Sequence, residues 1–214
     1  METEEIREKK EPKRLPVWAC ILLFALGLFV CMGLYGTIGF GLLSLILGDE
    51  ARHPGLLVYT VTEANMLLSV LTPAVILLYF ERRPFSDLGL TLKGHVRGLW
   101  YGLLVAMLLY LIGFGLSLAI GEVEVTGFQF DPLNLLGTFV FCLLVALTEE
   151  IMMRGYILGR LLHTRMNKFL ALFVSALLFA LLHIFNPNVA FLPMLNLVIA
   201  GMLIGASYLY TRNL

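Results

Sequence analysis

The hydrophobic and polar positions of the chain form long apolar stretches that short polar segments separate. A membrane-spanning helix needs about 20 consecutive apolar residues, and six stretches approach or exceed that length. They are residues 15–38, 56–80, 99–120, 133–155, 169–185 and 189–210. This pattern predicts an all-α fold, a polytopic transmembrane helical bundle of about six spans within residues 15–214. An even number of crossings would place both termini on one side of the membrane.

Lysine and arginine residues lie almost entirely on one side of the predicted bundle. If residues 15–48 cross the membrane once, fourteen of the 15 basic residues fall on the side of the termini, and Arg52 falls on the other. The fourteen are Arg7, Lys9, Lys10, Lys13, Arg14, Arg82, Arg83, Lys93, Arg97, Arg154, Arg160, Arg165, Lys168 and Arg212. A hairpin at residues 33–41 would remove this asymmetry. Because cytoplasmic loops are enriched in Lys and Arg, we predict cytoplasmic termini, with residues 1–14 as a charged cytoplasmic tail.

Two of the polar segments carry more specific signals. Asp131 followed by Pro132 is a good N-cap and first-turn pair for the fourth span. Residues 82–97 are short, amphipathic and interrupted by Pro84 and Gly89. We therefore expect this segment to lie along the inner membrane interface.

The composition agrees with a membrane protein and narrows its partners. Hydrophobic residues make up 59% of the chain and charged residues 14%, whereas a soluble domain has about 45–50% and 25%. The net charge is zero, so no nucleic-acid partner is indicated. We predict a multi-pass integral membrane protein of the cell membrane, with lipid as its surroundings. The three cysteines, Cys20, Cys31 and Cys142, lie in apolar stretches, and we interpret them as small core residues rather than a disulfide framework.

Few ionisable residues lie inside the predicted spans, and each is a candidate functional residue because a charge is costly in lipid. They are Glu63, Glu149, Glu150, Arg154 and His183. Glu150 and Arg154 are four residues apart, so they share a helix face and are predicted to form an ion pair. Glu149 points about 100° away from Glu150 and has Met153 rather than a base four residues on. Its carboxylate therefore stays available to take a proton from water.

Ser175, Phe179 and His183 recur at a spacing of four residues and so line one stripe of the fifth span. A lone histidine on an apolar helix is usually a core residue, but the depth of this one favours a functional role. The loop between the fourth and fifth spans centres near Met166, and Glu149 and His183 each lie 17 residues from it. In an antiparallel hairpin they would have equal depth, about 20–25 Å of helix rise from the turn. We therefore predict that Glu149 and His183 can hold one water molecule between them.

The same residues resemble the signature motifs of a known family. Glu149-Glu150-x-x-x-Arg154 followed by Phe179-x-x-x-His183 is similar to the first two motifs of the CAAX prenyl endopeptidase and bacteriocin-processing (CPBP, or Abi) family of intramembrane proteases. Similarity extends to residues 83–90 and 201–211, so a protease-like core would cover about residues 83–214. The order of these motifs in an all-helical membrane chain makes the resemblance fairly specific.

The resemblance implies an intramembrane endopeptidase of the glutamate type, which would cleave a membrane-embedded or membrane-associated protein or peptide. In that family a glutamate and a histidine activate the water that attacks the peptide bond. This implies Glu149 as the general base and His183 as its partner in binding the water. It also implies Glu150 with Arg154 as a supporting pair, and Phe179 as the residue that fixes the imidazole.

One part of the family pattern is missing from the given residues. The third motif, His-x-x-x-Asn or His-x-x-x-Asp, stabilises the oxyanion in the family and would follow soon after Asn213 and Leu214. The string from His163 to Asn167 lies between the first two motifs, and we interpret it as a coincidence. We expect either a truncated chain or a divergent member. Losing oxyanion donors costs about 10²–10³ in rate, so weak or no protease activity is expected from these 214 residues.

Other functions remain open at this point. A non-catalytic membrane protein, such as a bacteriocin-immunity or scaffold protein, could retain the fold, and a proton-coupled transporter would also bury Glu and His. The lack of repeated halves counts against a transporter. No His-Glu-x-x-His string occurs, so no metal cofactor is expected and zinc is the less favoured alternative. Glu63 and Asn65 could line a substrate cavity or bond to neighbouring helices.

Overall fold

Helices form the regular secondary structure of the computed structural model, which describes residues 15–53, 55–91, 93–187 and 189–214. Seven α-helices occur in these ranges: α1 Val17–Leu47, α2 Leu56–Phe80, α3 Val96–Ala119, α4 Pro132–Glu150, α5 Gly159–Leu161, α6 Lys168–Leu182 and α7 Phe191–Thr211. A π-helix, Ile151–Leu158, joins α4 to α5, and 3₁₀ turns occupy Gly48–Arg52 and Phe85–Leu88. No strand occurs in the described ranges, which confirms the all-α prediction. The predicted tail, residues 1–14, lies outside them.

Five helical segments among the described residues are long and apolar enough to cross a membrane. They are α1, α2, α3, the continuous segment Pro132–Leu161, and α7. α1 is one helix of 31 residues, so the first apolar stretch does not form a hairpin. The predicted span at residues 169–185 corresponds to α6, which has 15 residues and is shorter than a crossing requires. Asn186 and Pro187 follow shortly after it, and proline cannot continue a helix.

The π-helix Ile151–Leu158 lies at the centre of the packing. It contacts α2, α6, α7 and the turn Phe85–Leu88, and all of its residues are buried. Around it, α1 packs on α2, α2 on α4, and α6 on α7. α3 differs from these helices because none of its residues is buried. Its uninterrupted apolar surface is suited to contact with lipid, since every backbone hydrogen bond is made within the helix.

The turn between α2 and α3 packs against the π-helix of the bundle. Leu88 is 1% exposed and belongs to the same hydrophobic cluster as the π-helix residues. The following residue, Gly89, has a φ of +77°, and its carbonyl oxygen accepts a hydrogen bond from the Leu214 N–H at 2.8 Å. Leu88 is thus buried against the π-helix, and the interfacial position of residues 82–97 stays a prediction.

Both ends of the described chain lie at one end of the bundle. The Cys20 thiol near the start of α1 donates a hydrogen bond to Glu81, which directly follows α2. Leu214, at the other end of the chain, bonds to Gly89 in the same connection. These contacts define a termini end of the bundle, where α2 ends, and an opposite end, where α2 and α4 begin.

Candidate active site

Glu149 and Glu150 are the last two residues of α4, and the helix continues directly into the π-helix Ile151–Leu158. Asp131 caps α4 as predicted, because its carboxylate accepts hydrogen bonds from the first turn. Glu149 lies 18 residues after this cap, or about 27 Å of helix rise, so both carboxylates lie deep in the helical segment. π-Helical segments are rare and occur frequently at functional sites. The change in helix type directly after two carboxylates marks this position as unusual.

Glu150 and Arg154 form the ion pair that their spacing predicts. Arg154 Nη1 lies 2.9 Å from Glu150 Oε1, and the arginine is only 2% exposed. Its Nη2 donates a hydrogen bond of 3.4 Å to the Gly201 carbonyl of α7. The guanidinium also lies 5.0 Å from the centre of the Phe179 ring, a cation–π contact with α6. Arg154 therefore connects the helix of the glutamates to both α6 and α7.

The structure brings Glu149 and His183 together, as the count of residues around the hairpin predicts. His183 Nε2 lies 3.7 Å from Glu149 Oε1, which is too long for a direct hydrogen bond. His183 Nδ1 lies 2.9 Å from the Phe179 carbonyl oxygen. A carbonyl can only accept, so Nδ1 carries the hydrogen and a neutral imidazole presents an unprotonated Nε2 to Glu149. A water molecule at this position can donate one hydrogen to each residue.

His183 lies at the end of α6 and not inside a longer span. It is the C-cap residue that follows Leu182, about 22 Å of helix rise from Lys168. The chain beyond it forms turns, and Phe185 is 96% exposed. Non-helical backbone at membrane depth is tolerated only where it is buried in protein or lines a water-filled cavity. The early end of α6 therefore favours access of water to His183 and Glu149.

The stripe of Ser175, Phe179 and His183 faces the helix that carries the glutamates. Ser175 Oγ donates a hydrogen bond of 3.2 Å to the Met153 carbonyl in the π-helix. The Phe179 ring meets the His183 ring edge-on, with centroids 4.7 Å apart, and Phe179 is buried. The phenylalanine thus contacts both Arg154 and His183, which restricts the orientation of the imidazole. Phe179 thus lies next to the imidazole, where the family resemblance implies it.

Sequence reasoning missed a second buried ionic group, at the termini end. Arg160 of α5 is buried and pairs with Glu81, which also accepts the Cys20 hydrogen bond at 2.7 Å and lies 3.6 Å from Arg83. Glu81 and Arg160 are 79 residues apart, so no local spacing could have paired them. Cys20 is buried, as predicted for the cysteines, but Cys142 is exposed and that prediction is wrong for it.

The described residues contain no group of three or more His, Cys, Asp or Glu side chains that could hold a metal ion. Glu149 and His183 together offer two ligands, and the neighbouring carboxylate of Glu150 is paired with Arg154. A structural zinc site takes four protein ligands, and a catalytic one takes three plus water. The side chains at this site therefore fit a water molecule better than they fit zinc.

Comparison with known protein families gives a match to the C-terminal part of the chain. Residues 131–214 match the family model described as Type II CAAX prenyl endopeptidase Rce1-like. The match includes Glu149, Glu150, Arg154, Phe179 and His183, and it confirms the resemblance to the CPBP family of intramembrane proteases that the motifs indicate. Helices α1–α3 lie outside the matched range. No curated protein and no solved structure gives a significant match to the chain.

Proposed function

We propose, starting from the match of residues 131–214 to a family of CAAX-type endopeptidases, that Glu149 and His183 activate a water molecule which hydrolyses a peptide bond. The family match supports an intramembrane endopeptidase in general. The observation that carries the finer proposal is the 3.7 Å approach of His183 Nε2 to Glu149 Oε1 at the broken end of α6. Both atoms are hydrogen-bond acceptors when the carboxylate is ionised and the imidazole neutral.

In the proposed reaction, the water donates one hydrogen bond to Glu149 and one to His183, which turns its lone pairs toward the substrate. Its oxygen attacks the carbonyl carbon of the peptide while Glu149 takes the proton, so a tetrahedral intermediate forms. The C–N bond then breaks, and the protonated Glu149 gives its proton to the leaving amine. Glu149 thus acts first as general base and then as general acid. One water is consumed, and a carboxylic acid and an amine are released.

Glu150, Arg154 and Phe179 act as positioning residues in this proposal. Arg154 neutralises Glu150 beside the reacting carboxylate, so Glu149 is the acid that remains free to accept a proton. Phe179 contacts the guanidinium on one side and the imidazole on the other. The Phe179 carbonyl fixes the His183 tautomer through Nδ1. These contacts hold the two acceptors at a constant separation, which is what catalysis by orientation requires.

The proposed substrate is a membrane-embedded or membrane-associated peptide, since Glu149 lies deep in an apolar helical segment that is long enough to cross a membrane. The mechanism is proposed to run without a metal, because Glu149 and His183 offer only two ligands and the neighbouring Glu150 is paired with Arg154. Zinc is the alternative that the same residues allow. A chelator distinguishes the two: the metal-free reaction keeps its rate in the presence of a strong zinc chelator.

The decisive experiment measures cleavage of a quenched fluorescent library of membrane-associated peptides by the full chain in proteoliposomes. Enzyme is kept in excess, so that slow single turnovers are counted. Glu149→Gln and His183→Ala should each lower the rate by about 10²-fold or more, since each removes one group of the acid–base machinery. Glu122→Gln is the matched control, because Glu122 is an exposed carboxylate in the loop between α3 and α4. It should cleave at the wild-type rate.

Equal cleavage by the wild-type, Glu149→Gln and His183→Ala proteins would contradict the proposed roles. Loss of activity on chelation, with recovery on adding zinc, would replace the metal-free mechanism by a zinc-dependent one. Absence of cleavage by the wild-type protein, together with retained binding of a partner by both variants, would instead favour the non-catalytic membrane protein.

A further inference from the structure

A groove between α1 and α2 is not used by the mechanism. It encloses about 240 Å³, and its walls are largely apolar, with Met32 and Phe40 from α1 among the lining residues. Glu63 and Thr62 of α2 also line it. The groove therefore combines a space of side-chain size with one carboxylate in apolar surroundings.

Glu63 has no cationic partner among the described residues. The buried arginines of the bundle are paired elsewhere, Arg154 with Glu150 and Arg160 with Glu81. Glu63 itself is partly buried, and none of the described ion pairs includes it. A carboxylate inside a membrane protein normally pairs with another group or faces a functional cavity. The second arrangement is the one found here.

The register between α2 and α4 gives the depth of Glu63 relative to Glu149. Both helices begin at the opposite end of the bundle and run in the same direction. Near their starts, the Leu56 side chain packs against Gly137, and the rings of Tyr59 and Phe141 have centroids 6.3 Å apart. Paired residues are thus offset by 81 or 82 positions in the sequence. At that offset Glu63 lies level with residues 144–145 of α4. It is therefore four to five residues closer to the opposite end of the bundle than Glu149 is, or about 6–8 Å of helix rise.

The charges around this groove are unbalanced. Glu150 and Arg154 neutralise each other and Glu149 lies 3.7 Å from His183 Nε2, whereas none of the described ion pairs includes Glu63. Glu63 and Glu149 are both acidic, and their levels differ by only about 6–8 Å of helix rise, so their negative charges repel each other when both are ionised. A positively charged group placed between the reacting centre and the groove would relieve this repulsion. A lysine suits the space, because its methylene stem can pack on apolar walls while its ammonium group meets a carboxylate.

We infer that the groove is a substrate subsite in which Glu63 selects a lysine or arginine side chain of the peptide, a specificity that rests on the proposed function. An extended peptide advances about 3.3–3.6 Å per residue, so an offset of 6–8 Å corresponds to about two residues. The basic residue therefore lies about two positions from the bond that Glu149 and His183 hydrolyse. Glu63 is a specificity-determining residue here and takes no part in proton transfer.

The test uses binding, so that it does not depend on hydrolysis. The full chain carrying Glu149→Gln is reconstituted in liposomes of neutral lipid and titrated with fluorescent peptides. The peptides share one cleavable bond, and each carries either lysine or norleucine at one of four positions around it. Norleucine has the same stem without the charge. At one position the lysine peptide should bind on the order of tenfold more tightly, as expected for a hydrogen-bonded charge pair. Adding Glu63→Gln should abolish this preference, and adding Glu122→Gln should leave it intact.

Reversal of the charge provides a second arm in case Glu63→Gln disturbs the fold. Glu63→Lys should bind a glutamate peptide more tightly than the lysine peptide. Equal affinity for lysine and norleucine at all four positions, or the same preference with and without Glu63, would overturn the subsite. Failure of the proposed catalytic roles has a different signature, namely unchanged cleavage in the Glu149 and His183 variants.

Discussion

At the scale of single residues, Arg154 contacts three different helices around the site. Its guanidinium pairs with Glu150, donates to the Gly201 carbonyl and lies against the Phe179 ring. Each contact reaches a different segment of the bundle. Since the residue is almost completely buried, its charge is compensated by protein groups and not by water. Loss of the guanidinium would leave Glu150 as a partly buried, uncompensated carboxylate.

The substitution Arg154→Met should therefore destabilise the protein by about 3–5 kcal/mol, the usual cost of removing one partner of a buried ion pair. The free energy of unfolding, measured by denaturant titration in mixed micelles, checks this value. Arg97→Met is the matched control, because Arg97 is exposed at the start of α3. Adding Glu150→Gln to Arg154→Met should recover part of the loss, since the orphaned charge is then removed. A loss below about 1 kcal/mol would show that Arg154 is not essential for stability.

At the scale of secondary-structure elements, the fit between the turn Phe85–Leu88 and the π-helix depends on a glycine. A Cβ atom built on Gly155 would lie 2.7 Å from the Leu88 carbonyl oxygen, closer than two such atoms can approach. The absence of a side chain at Gly155 lets the backbone of the turn contact the helix directly. The turn is thereby held against the π-helix that carries Arg154. Through this contact the turn connects α2 to the rest of the site.

The substitution Gly155→Ala should force the turn away from the π-helix and cost about 1–3 kcal/mol of stability, as overpacking usually does. Gly113→Ala in α3 is the control, since nothing lies within 4 Å of a Cβ at that position. Alanine is favoured over glycine in a helix by about 1 kcal/mol, so the control should be neutral or stabilising. The same unfolding titration measures both variants. Equal stability of the two proteins would mean that the turn does not rest on Gly155.

At the scale of the whole molecule, local periodicity predicted what depends on neighbours in sequence. Spacing of four residues paired Glu150 with Arg154, and equal distance from one turn placed Glu149 beside His183. Features set by long-range packing were not predictable in this way. The pair of Glu81 and Arg160 joins distant segments, and the π-helix is fixed by neighbours that sequence patterns do not reveal. The end of α6 at His183 was missed because apolar residues continue beyond it.

The distribution of charge across the whole bundle also predicts its orientation in the membrane. Arg83, Arg160 and Arg212 lie at the termini end, close to the contacts that join the two ends of the described chain. At the opposite end, the loop between α3 and α4 carries the exposed acids Glu122, Glu124 and Asp131. Positive charge near helix ends is retained on the cytoplasmic side during insertion. The termini end should therefore face the cytoplasm.

This orientation can be tested by introducing single cysteines into a chain whose native cysteines have been replaced. Serine replaces Cys20, because its hydroxyl can keep the hydrogen bond to Glu81. Glu122→Cys and Arg165→Cys report on opposite ends of the bundle, and both native residues are exposed. A membrane-impermeant maleimide should label Glu122→Cys in intact cells, and it should label Arg165→Cys only after permeabilisation. Labelling of Arg165→Cys alone in intact cells would reverse the orientation. Labelling of both would mean that these two loops lie on the same side, contrary to a full crossing by Pro132–Leu161.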